Sequence, residues 1–167
     1  LARRTAAWDG RSKGWADTLE ARVDVEGFLT YMATQMIFGH MDWPNQNVRF
    51  WRYSGKPQEE RPLDGRWYFI MGDSDLGYGA QASPQADMFL RARAMNVPVT
   101  QLFWGMMHAP EFKARFIAIA RALVYGPLAT PRALEELDRI AALMEPEMGR
   151  HTARWRKPAD LETWRSH

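Results

Sequence analysis

An amphipathic run at residues 24–38 is the sequence feature that most constrains the fold. Its apolar side chains recur every three or four residues, which is the spacing of one buried helical face: Phe28, Leu29, Met32, Met36 and Ile37. Asp24 suits the N-cap of such a helix, and Gly39 suits a left-handed C-terminal cap. The spacing therefore predicts a core helix over 24–38 that leads directly into a polar segment at 40–47.

Two strand-like runs follow this polar segment. In residues 48–53 apolar and charged side chains partly alternate, and many of the side chains are bulky. Residues 66–71 are more continuously apolar. The connection at 54–65 is polar and rich in Gly, Pro and charge, so we expect it to be exposed. An antiparallel pairing of the two strands would bring Asn47, at the start of one, near Asp73, at the end of the other.

Helical spacing returns in the second half of the chain. It predicts helices over 87–94, 99–108 and 110–125, and one from Thr130 to a break at Pro146 with a last segment ending at Trp155. The predicted fold class is α+β, mostly α, with a small antiparallel β-hairpin. We expect an N-terminal docking segment at 1–23 that contains a short helix at 16–22, a main domain at 24–156 and a polar tail at 157–167.

Composition narrows the function classes. Of the 167 residues 46% are hydrophobic and 13% aromatic, which is typical of a packed globule. The formal charge is +2 without a basic block, so we expect no nucleic-acid partner. The absence of cysteine excludes disulfides, thiolate metal sites and cysteine nucleophiles. No apolar run approaches the roughly 20 residues of a membrane span.

The first residues have neither an initiator Met nor the pattern of a signal peptide. We therefore expect the chain to be part of a longer protein. The lack of a signal in this sequence does not indicate where that protein is located.

Carboxylate and amide side chains stand at both ends of the predicted hairpin. Asp42 lies five residues before Asn47, and Asp73 and Asp75 follow the second strand. A phosphoryl-transfer site needs one carboxylate to orient the attacking hydroxyl, and oxygen ligands that hold Mg²⁺ on the phosphates. Asp42 suits the first role, and Asn47 and Asp73 suit the second, while Asp75 would add a ligand or shape the loop. A protein kinase places its catalytic Asp, metal-binding Asn and second metal-binding Asp in this order.

The same residues have a simpler interpretation as turn formers. Asp and Asn favour tight turns, so Asp42 and Asn47 would cap one end of the hairpin. Asp73 and Asp75 would do the same at the other end. His40 would then be a helix-end residue that interacts with the last carbonyl groups. The short motifs alone leave both interpretations open.

Taken together and in register, six segments resemble the CotH family of atypical protein kinases, which are similar to spore coat protein H. The segments are Asp24-Val25-Glu26-Gly27-Phe28, Asp42 to Asn47, Arg49-Phe50-Trp51-Arg52, Asp73-Ser74-Asp75-Leu76-Gly77-Tyr78-Gly79, Pro110-Glu111-Phe112-Lys113-Ala114-Arg115-Phe116, and the stretch from Glu145-Pro146-Glu147-Met148 to Arg154-Trp155. The resemblance covers about residues 20 to 165, which makes it far more specific than any single motif.

The resemblance implies that residues 24–156 form a protein-kinase-like C-lobe. Such a lobe would transfer the γ-phosphate of ATP to Ser or Thr hydroxyls of a protein substrate, with Mg²⁺ or Mn²⁺. Asp42 would be the catalytic Asp, Asn47 and Asp73 would be metal ligands, and Asp75 would be a further candidate ligand. His40 would support the loop. Because Met41 replaces the Arg of the kinase pattern, we expect no arginine pocket for a phosphorylated activation loop.

The sequence departs from a complete kinase in one respect. It has no Gly-rich phosphate loop and no lysine in a strand motif, so we expect the N-lobe that holds the nucleotide to lie outside this chain. The family resemblance places the protein outside the cell, at the cell surface or in the spore coat. Two alternatives stay open: a pseudokinase or coat-assembly scaffold without catalysis, and a metal-dependent phosphoesterase that uses the same ligands.

Overall fold

The computed structural model describes residues 14–81, 83 and 85–165, which are mostly helical and include one two-stranded sheet. The elements are α1 (Trp15–Glu20), α2 (Val25–Ile37), β1 (Arg49–Arg52), β2 (Trp67–Ile70), α3 (Met88–Ala94), α4 (Pro98–Met107), α5 (Pro110–Tyr125), α6 (Thr130–Trp155) and α7 (Leu161–Arg165). The predicted α+β class with a small antiparallel hairpin is confirmed.

The chain forms two compact units, Leu1–Ala122 and Leu123–His167. Residues 1–13 of the predicted docking segment, and residues 166 and 167 of the predicted tail, lie outside the described residues. The predicted boundaries near 24 and 156 stay predictions.

Helix α2 forms the centre of the first unit, as its apolar spacing predicts. Phe28, Leu29 and Met32 are fully buried on it. Asp24 occupies the N-cap position, but its side chain makes no capping hydrogen bond. Instead, the buried Asp24 carboxylate forms an ion pair with Arg61 at 2.5 Å. The start of α2 is therefore tied to the loop that connects the two strands.

The hairpin packs one face against α2. Strands β1 and β2 are antiparallel, with Phe50 opposite Phe69 in the register. The Phe69 ring lies 4.7 Å from the ring of Phe28 and 5.6 Å from that of Tyr31 on α2. The Trp67 amide donates to the carbonyl oxygen of residue 22 at 2.8 Å, which joins β2 to the segment before α2. These contacts hold β2 against α2 and against the segment before it.

A polar cluster braces the connection just before β2. The Asp64 carboxylate accepts hydrogen bonds from Arg66 Nε and from the Tyr68 hydroxyl, each at 2.7 Å. Burial acts to raise the pKa of Asp64, but these hydrogen bonds and the Arg66 charge outweigh it and lower the pKa to about 2. The carboxylate therefore stays ionised well into the acid range.

Helices α3 and α4, and α5 as far as Ala122, complete the first unit. Asp87 is the N-cap of α3, and its carboxylate accepts from the Leu90 amide at 2.8 Å. The Phe103 ring of α4 packs edge-on against the Phe116 ring of α5 at 5.0 Å. The predicted helices over 87–94, 99–108 and 110–125 are confirmed within one residue at each end.

The second unit contains one long helix where the sequence predicted two segments. Helix α6 runs through Pro146 for 26 residues, so the predicted break is wrong. A proline removes one backbone hydrogen bond to the residue four positions earlier, and strong helix formers on both sides continue the helix. An apolar stripe on this helix is exposed, namely Leu134, Leu137, Ile140 and Met144. No helix of the described residues has both the length and the apolarity to span a membrane.

Candidate functional site

The first half of the candidate site is the loop that follows α2. Gly39 has a φ of 60°, the left-handed conformation that the sequence predicts for it. His40 is fully buried, whereas Asp42 and Asn47 are half-buried and reach the surface. The Gln46 amide donates to the Asp42 carbonyl oxygen at 2.9 Å and closes a turn within the loop. The turn keeps the Asp42 carboxylate at the surface of a folded loop.

The second half is the loop after β2, where both predicted carboxylates, Asp73 and Asp75, are exposed. This loop is fastened to the end of α2. The Tyr78 amide donates to the Phe38 carbonyl oxygen at 2.6 Å, and the two rings lie 4.4 Å apart. The Met41 amide donates to the Leu76 carbonyl oxygen at 3.4 Å. The residue before Asp42 therefore contacts the residue after Asp75.

Asn47 and Asp73 join the two halves directly. Asn47 Nδ2 donates to the Asp73 carbonyl oxygen at 3.4 Å, a contact between residues 26 positions apart. Both residues have left-handed backbones, with φ of 57° and 55°. Asn and Asp adopt this region more readily than other residues with side chains, and it still costs about 1 kcal/mol or more at each position. The structure therefore brings together two residues that the sequence assigned to one site.

The oxygen atoms of Asn47, Asp73 and Asp75 suit a hard divalent cation that takes its remaining ligands from phosphate. Among the described residues, no group of three or more His, Asp or Glu side chains is arranged to hold a metal by itself. Mg²⁺ typically takes one or two carboxylates, with waters and substrate phosphates as its remaining ligands. An amide oxygen from Asn47 and carboxylates from Asp73 and Asp75 fit this type of site. They do not fit a cage built from protein ligands alone.

His40 is held by a partner that the sequence reasoning missed. Its Nδ1 lies 2.7 Å from Gln35 Oε1, and both side chains are fully buried. An amide oxygen only accepts hydrogen bonds, so this contact is a hydrogen bond in the His40 tautomer that has its proton on Nδ1. Gln35 was detectable in principle, since it is a polar residue on the apolar face of α2. The structure places His40 behind the loop, which fits its predicted supporting role.

The pair itself, and the neighbouring Tyr31 and Trp43, also contain buried polar atoms without a partner. Among the described residues, the Tyr31 hydroxyl, Gln35 Nε2, His40 Nε2 and Trp43 Nε1 make no hydrogen bond. Burial raises the pKa of Tyr31 to about 12, and the Gln35 and Trp43 side chains beside its hydroxyl act in the opposite direction, although neither is aligned for a full hydrogen bond. Such unpaired buried groups are uncommon in folded proteins. Two of them belong to His40 and Trp43, which lie on either side of Asp42 in the chain.

Arg91 is a second residue that the sequence reasoning missed. From α3 its Nε donates to the Trp43 carbonyl oxygen at 2.9 Å, and its Nη2 donates to the Met41 carbonyl oxygen. The two contacts flank Asp42 in the chain. No local pattern could have revealed them, because Arg91 lies 48 and 50 positions from its partners.

The outer face of the hairpin lies beside the second loop. Arg49 extends toward Gly72, since a Cβ built on Gly72 would lie 3.6 Å from Arg49 Nη1. Trp51 and Ile70 share this face with Arg49 and are 39% and 47% exposed. The face therefore offers exposed apolar side chains and a cation next to Asp73.

A comparison with protein families gave one match. The model described as CotH kinase protein matches residues 5–167, a span that contains every residue of the candidate site. Searches among curated proteins and among solved structures gave no match.

Proposed function

The chain belongs to the CotH kinase family, and we propose that it forms the kinase-like catalytic lobe of a protein kinase. In this proposal the protein transfers the γ-phosphate of ATP to Ser or Thr hydroxyls of a protein substrate. The contact between Asn47 and Asp73 supports the proposal most strongly. It joins the loop that carries Asp42 and Asn47 to the loop that carries Asp73 and Asp75.

Asp42 is the proposed catalytic residue. Its carboxylate would accept a hydrogen bond from the attacking hydroxyl of the substrate and would take up that proton as the phosphoryl group is transferred. This role requires a carboxylate that is accessible and held in place. Asp42 meets both requirements, because it is half-buried and its own carbonyl oxygen accepts from the Gln46 amide.

Asn47 and Asp73, with Asp75 beside them, are the residues proposed to hold Mg²⁺ or Mn²⁺. When bound, such an ion supplies positive charge that neutralises the phosphate oxygens. Arg49 adds a cation next to Gly72, the residue before Asp73. The donor set leaves room for phosphate oxygens as ligands, which agrees with a metal that enters with its nucleotide.

We place the nucleotide over the outer face of the hairpin. Trp51 and Ile70 are exposed there, and a purine ring stacks favourably on aromatic and aliphatic side chains. Family membership further supports a location outside the cell, at its surface or in the spore coat. In that location the substrate would be a secreted or surface-bound protein.

One alternative is favoured by a separate observation. The exposed apolar stripe of α6 would suit a scaffold that binds a protein partner without catalysis. Nucleotide binding that depends on Mg²⁺ separates the two, because a scaffold has no need of it.

The direct test uses the full-length protein with ATP labelled in the γ-phosphate and Mg²⁺ or Mn²⁺. The proposal expects label on Ser or Thr of the protein itself or of an added acceptor, and loss of label with EDTA. Release of inorganic phosphate with no labelled protein would indicate the phosphoesterase alternative. The absence of both labelling and nucleotide binding would favour the scaffold.

A further inference from the structure

We propose that Arg91 is a positioning residue that holds the Asp42 carboxylate in its working orientation. The inference rests on the proposed function, because it assigns to Asp42 the catalytic role. It concerns a side chain on α3, outside both loops of the candidate site.

Arg91 holds the loop at two points. Its Nε bonds to the carbonyl oxygen of Trp43, and its Nη2 bonds to that of Met41. These residues immediately precede and follow Asp42, so one guanidinium group restrains the backbone on both sides of it. The fork of an arginine presents its donors in one rigid plane, and two bonds from that plane fix an orientation as well as a position.

Arg91 lies on a helix, α3, that is itself held in place. The Asp87 cap fixes the first turn, and the Arg91 amide donates to the Asp87 carbonyl oxygen at 3.0 Å. Met88 and Ala92 on the same helix are buried. The guanidinium therefore extends from an anchored helix toward the loop.

The loop needs such a restraint for catalysis to be efficient. Asp42 lies on a segment with no regular secondary structure. A catalytic group that is misplaced by about 1 Å can lower the rate about 100-fold. The Met41 amide is bound to Leu76, and the Gln46 amide to Asp42. Arg91 adds the contacts to the carbonyl groups on either side, which those bonds leave free to turn.

Arg93 provides a matched control on the same helix. It is exposed, and its guanidinium lies over the Trp104 ring at 5.9 Å rather than on the loop. Arg91→Met and Arg93→Met remove the same charge and the same number of donors from neighbouring positions. Arg91→Lys keeps the charge but replaces the two-point fork with a single nitrogen.

The first experiment measures phosphate transfer by the full-length variants, normalised to folded protein. We expect Arg91→Met to lower kcat about 10- to 100-fold with the KM for ATP changed less than about twofold, and Arg91→Lys to fall between it and the wild type. The kcat of Arg93→Met should stay within about twofold of the wild-type value.

A purely structural role of Arg91 would lower the folded fraction without this graded loss of kcat. An Arg91→Met kcat equal to that of Arg93→Met would overturn the proposal, and if Arg91→Met does not fold, a wild-type kcat in Arg91→Lys would do so.

The second experiment is independent of activity. Hydrogen exchange of a peptide covering residues 40–47 should be at least about tenfold faster in Arg91→Met than in Arg93→Met, with exchange in α2 unchanged. If the wild type transfers no phosphate, the proposed function fails, and this comparison still decides whether Arg91 holds the loop. Equal exchange in the two variants would overturn the restraint.

Discussion

Asn47 Nδ2 donates to the main-chain carbonyl oxygen of Asp73 at 3.4 Å, and both residues have left-handed backbones. A turn that only had to reverse the chain would be more stable with glycine at such positions. Strained residues with side chains persist where the surrounding structure holds them, and they are frequent at functional sites. The geometry at this contact therefore supports the proposal that the side chains of Asn47 and Asp73 bind the metal ion.

Replacement of Asn47 by Gly should separate stability from metal binding. Glycine accepts the left-handed φ, so the free energy of unfolding should change by less than about 1 kcal/mol. Mn²⁺ affinity in the presence of ATP should nevertheless fall about tenfold or more, because an oxygen ligand is lost. Urea unfolding and titration of Mn²⁺ followed by electron paramagnetic resonance measure the two quantities.

Asn45→Gly is the control for this prediction, since Asn45 is exposed in the same loop. It should leave Mn²⁺ affinity within about twofold of the wild-type value. Unchanged Mn²⁺ affinity in Asn47→Gly would remove Asn47 from the list of ligands.

The buried pair of Gln35 and His40 should show strong coupling in a double-mutant cycle. Gln35→Leu leaves the His40 Nδ1 proton buried without a partner, which should lower the free energy of unfolding by about 1–3 kcal/mol. His40→Leu should cost a similar amount. The double variant should be less destabilised than the sum of the two, because both polar groups are then gone. Additive losses in urea unfolding would show that the pair does not act as a unit.

Replacement of Gly27 by alanine should destabilise the protein, whereas the same replacement at an ordinary helical glycine is stabilising. A Cβ at residue 27 would collide with the Asp24 carboxylate, which is buried and paired with Arg61. Gly27→Ala should therefore lower the free energy of unfolding by about 1–2 kcal/mol, despite the better helix propensity of alanine.

Gly149 on α6 is the matched control for Gly27, because a Cβ there would meet no atom within 4 Å. Gly149→Ala should raise the midpoint of thermal unfolding, with a gain of about 0.5–1 kcal/mol. Stabilisation by both substitutions would mean that Asp24 is not held against the first turn of α2.

The Asp64 cluster predicts a specific acid dependence of stability. Arg66 and Tyr68 outweigh burial and hold the pKa of Asp64 at about 2, below its ordinary value of 3.8. A lowered folded-state pKa stabilises the fold above the unfolded-state pKa, and this stability is lost as the pH falls from about 4 toward 2. Asp64→Asn should be less stable by about 1–2 kcal/mol at neutral pH, and the difference should shrink through that window. A constant difference in urea unfolding from pH 6 to pH 2 would contradict the assignment.

The sequence predicted the elements whose signals are local. Helix α2 and the two strands carry clear apolar periodicity, and Asp42, Asn47, Asp73 and Asp75 stand at their ends. The break predicted at Pro146 is wrong because a helix of 26 residues tolerates the loss of one hydrogen bond.

The remaining features depend on contacts between distant parts of the chain. Asp24 forms an ion pair with Arg61 instead of the expected capping hydrogen bond. Arg91 is separated in sequence by 48 and 50 positions from the two residues of the Asp42 loop that it binds. A single sequence carries no spacing rule for such pairs. Gln35 is the exception, because a polar residue on a buried helical face can be recognised without a structure.

The most direct test of the central claim is the rate of phosphate transfer by Asp42→Asn in the full-length protein. The substitution keeps the size of the side chain and removes the carboxylate, and Asp138→Asn on exposed α6 is the control. We expect Asp42→Asn to transfer γ-phosphate about 100- to 10,000-fold more slowly with an unchanged melting temperature, and Asp138→Asn to match the wild type. Transfer by Asp42→Asn at the wild-type rate would contradict the account.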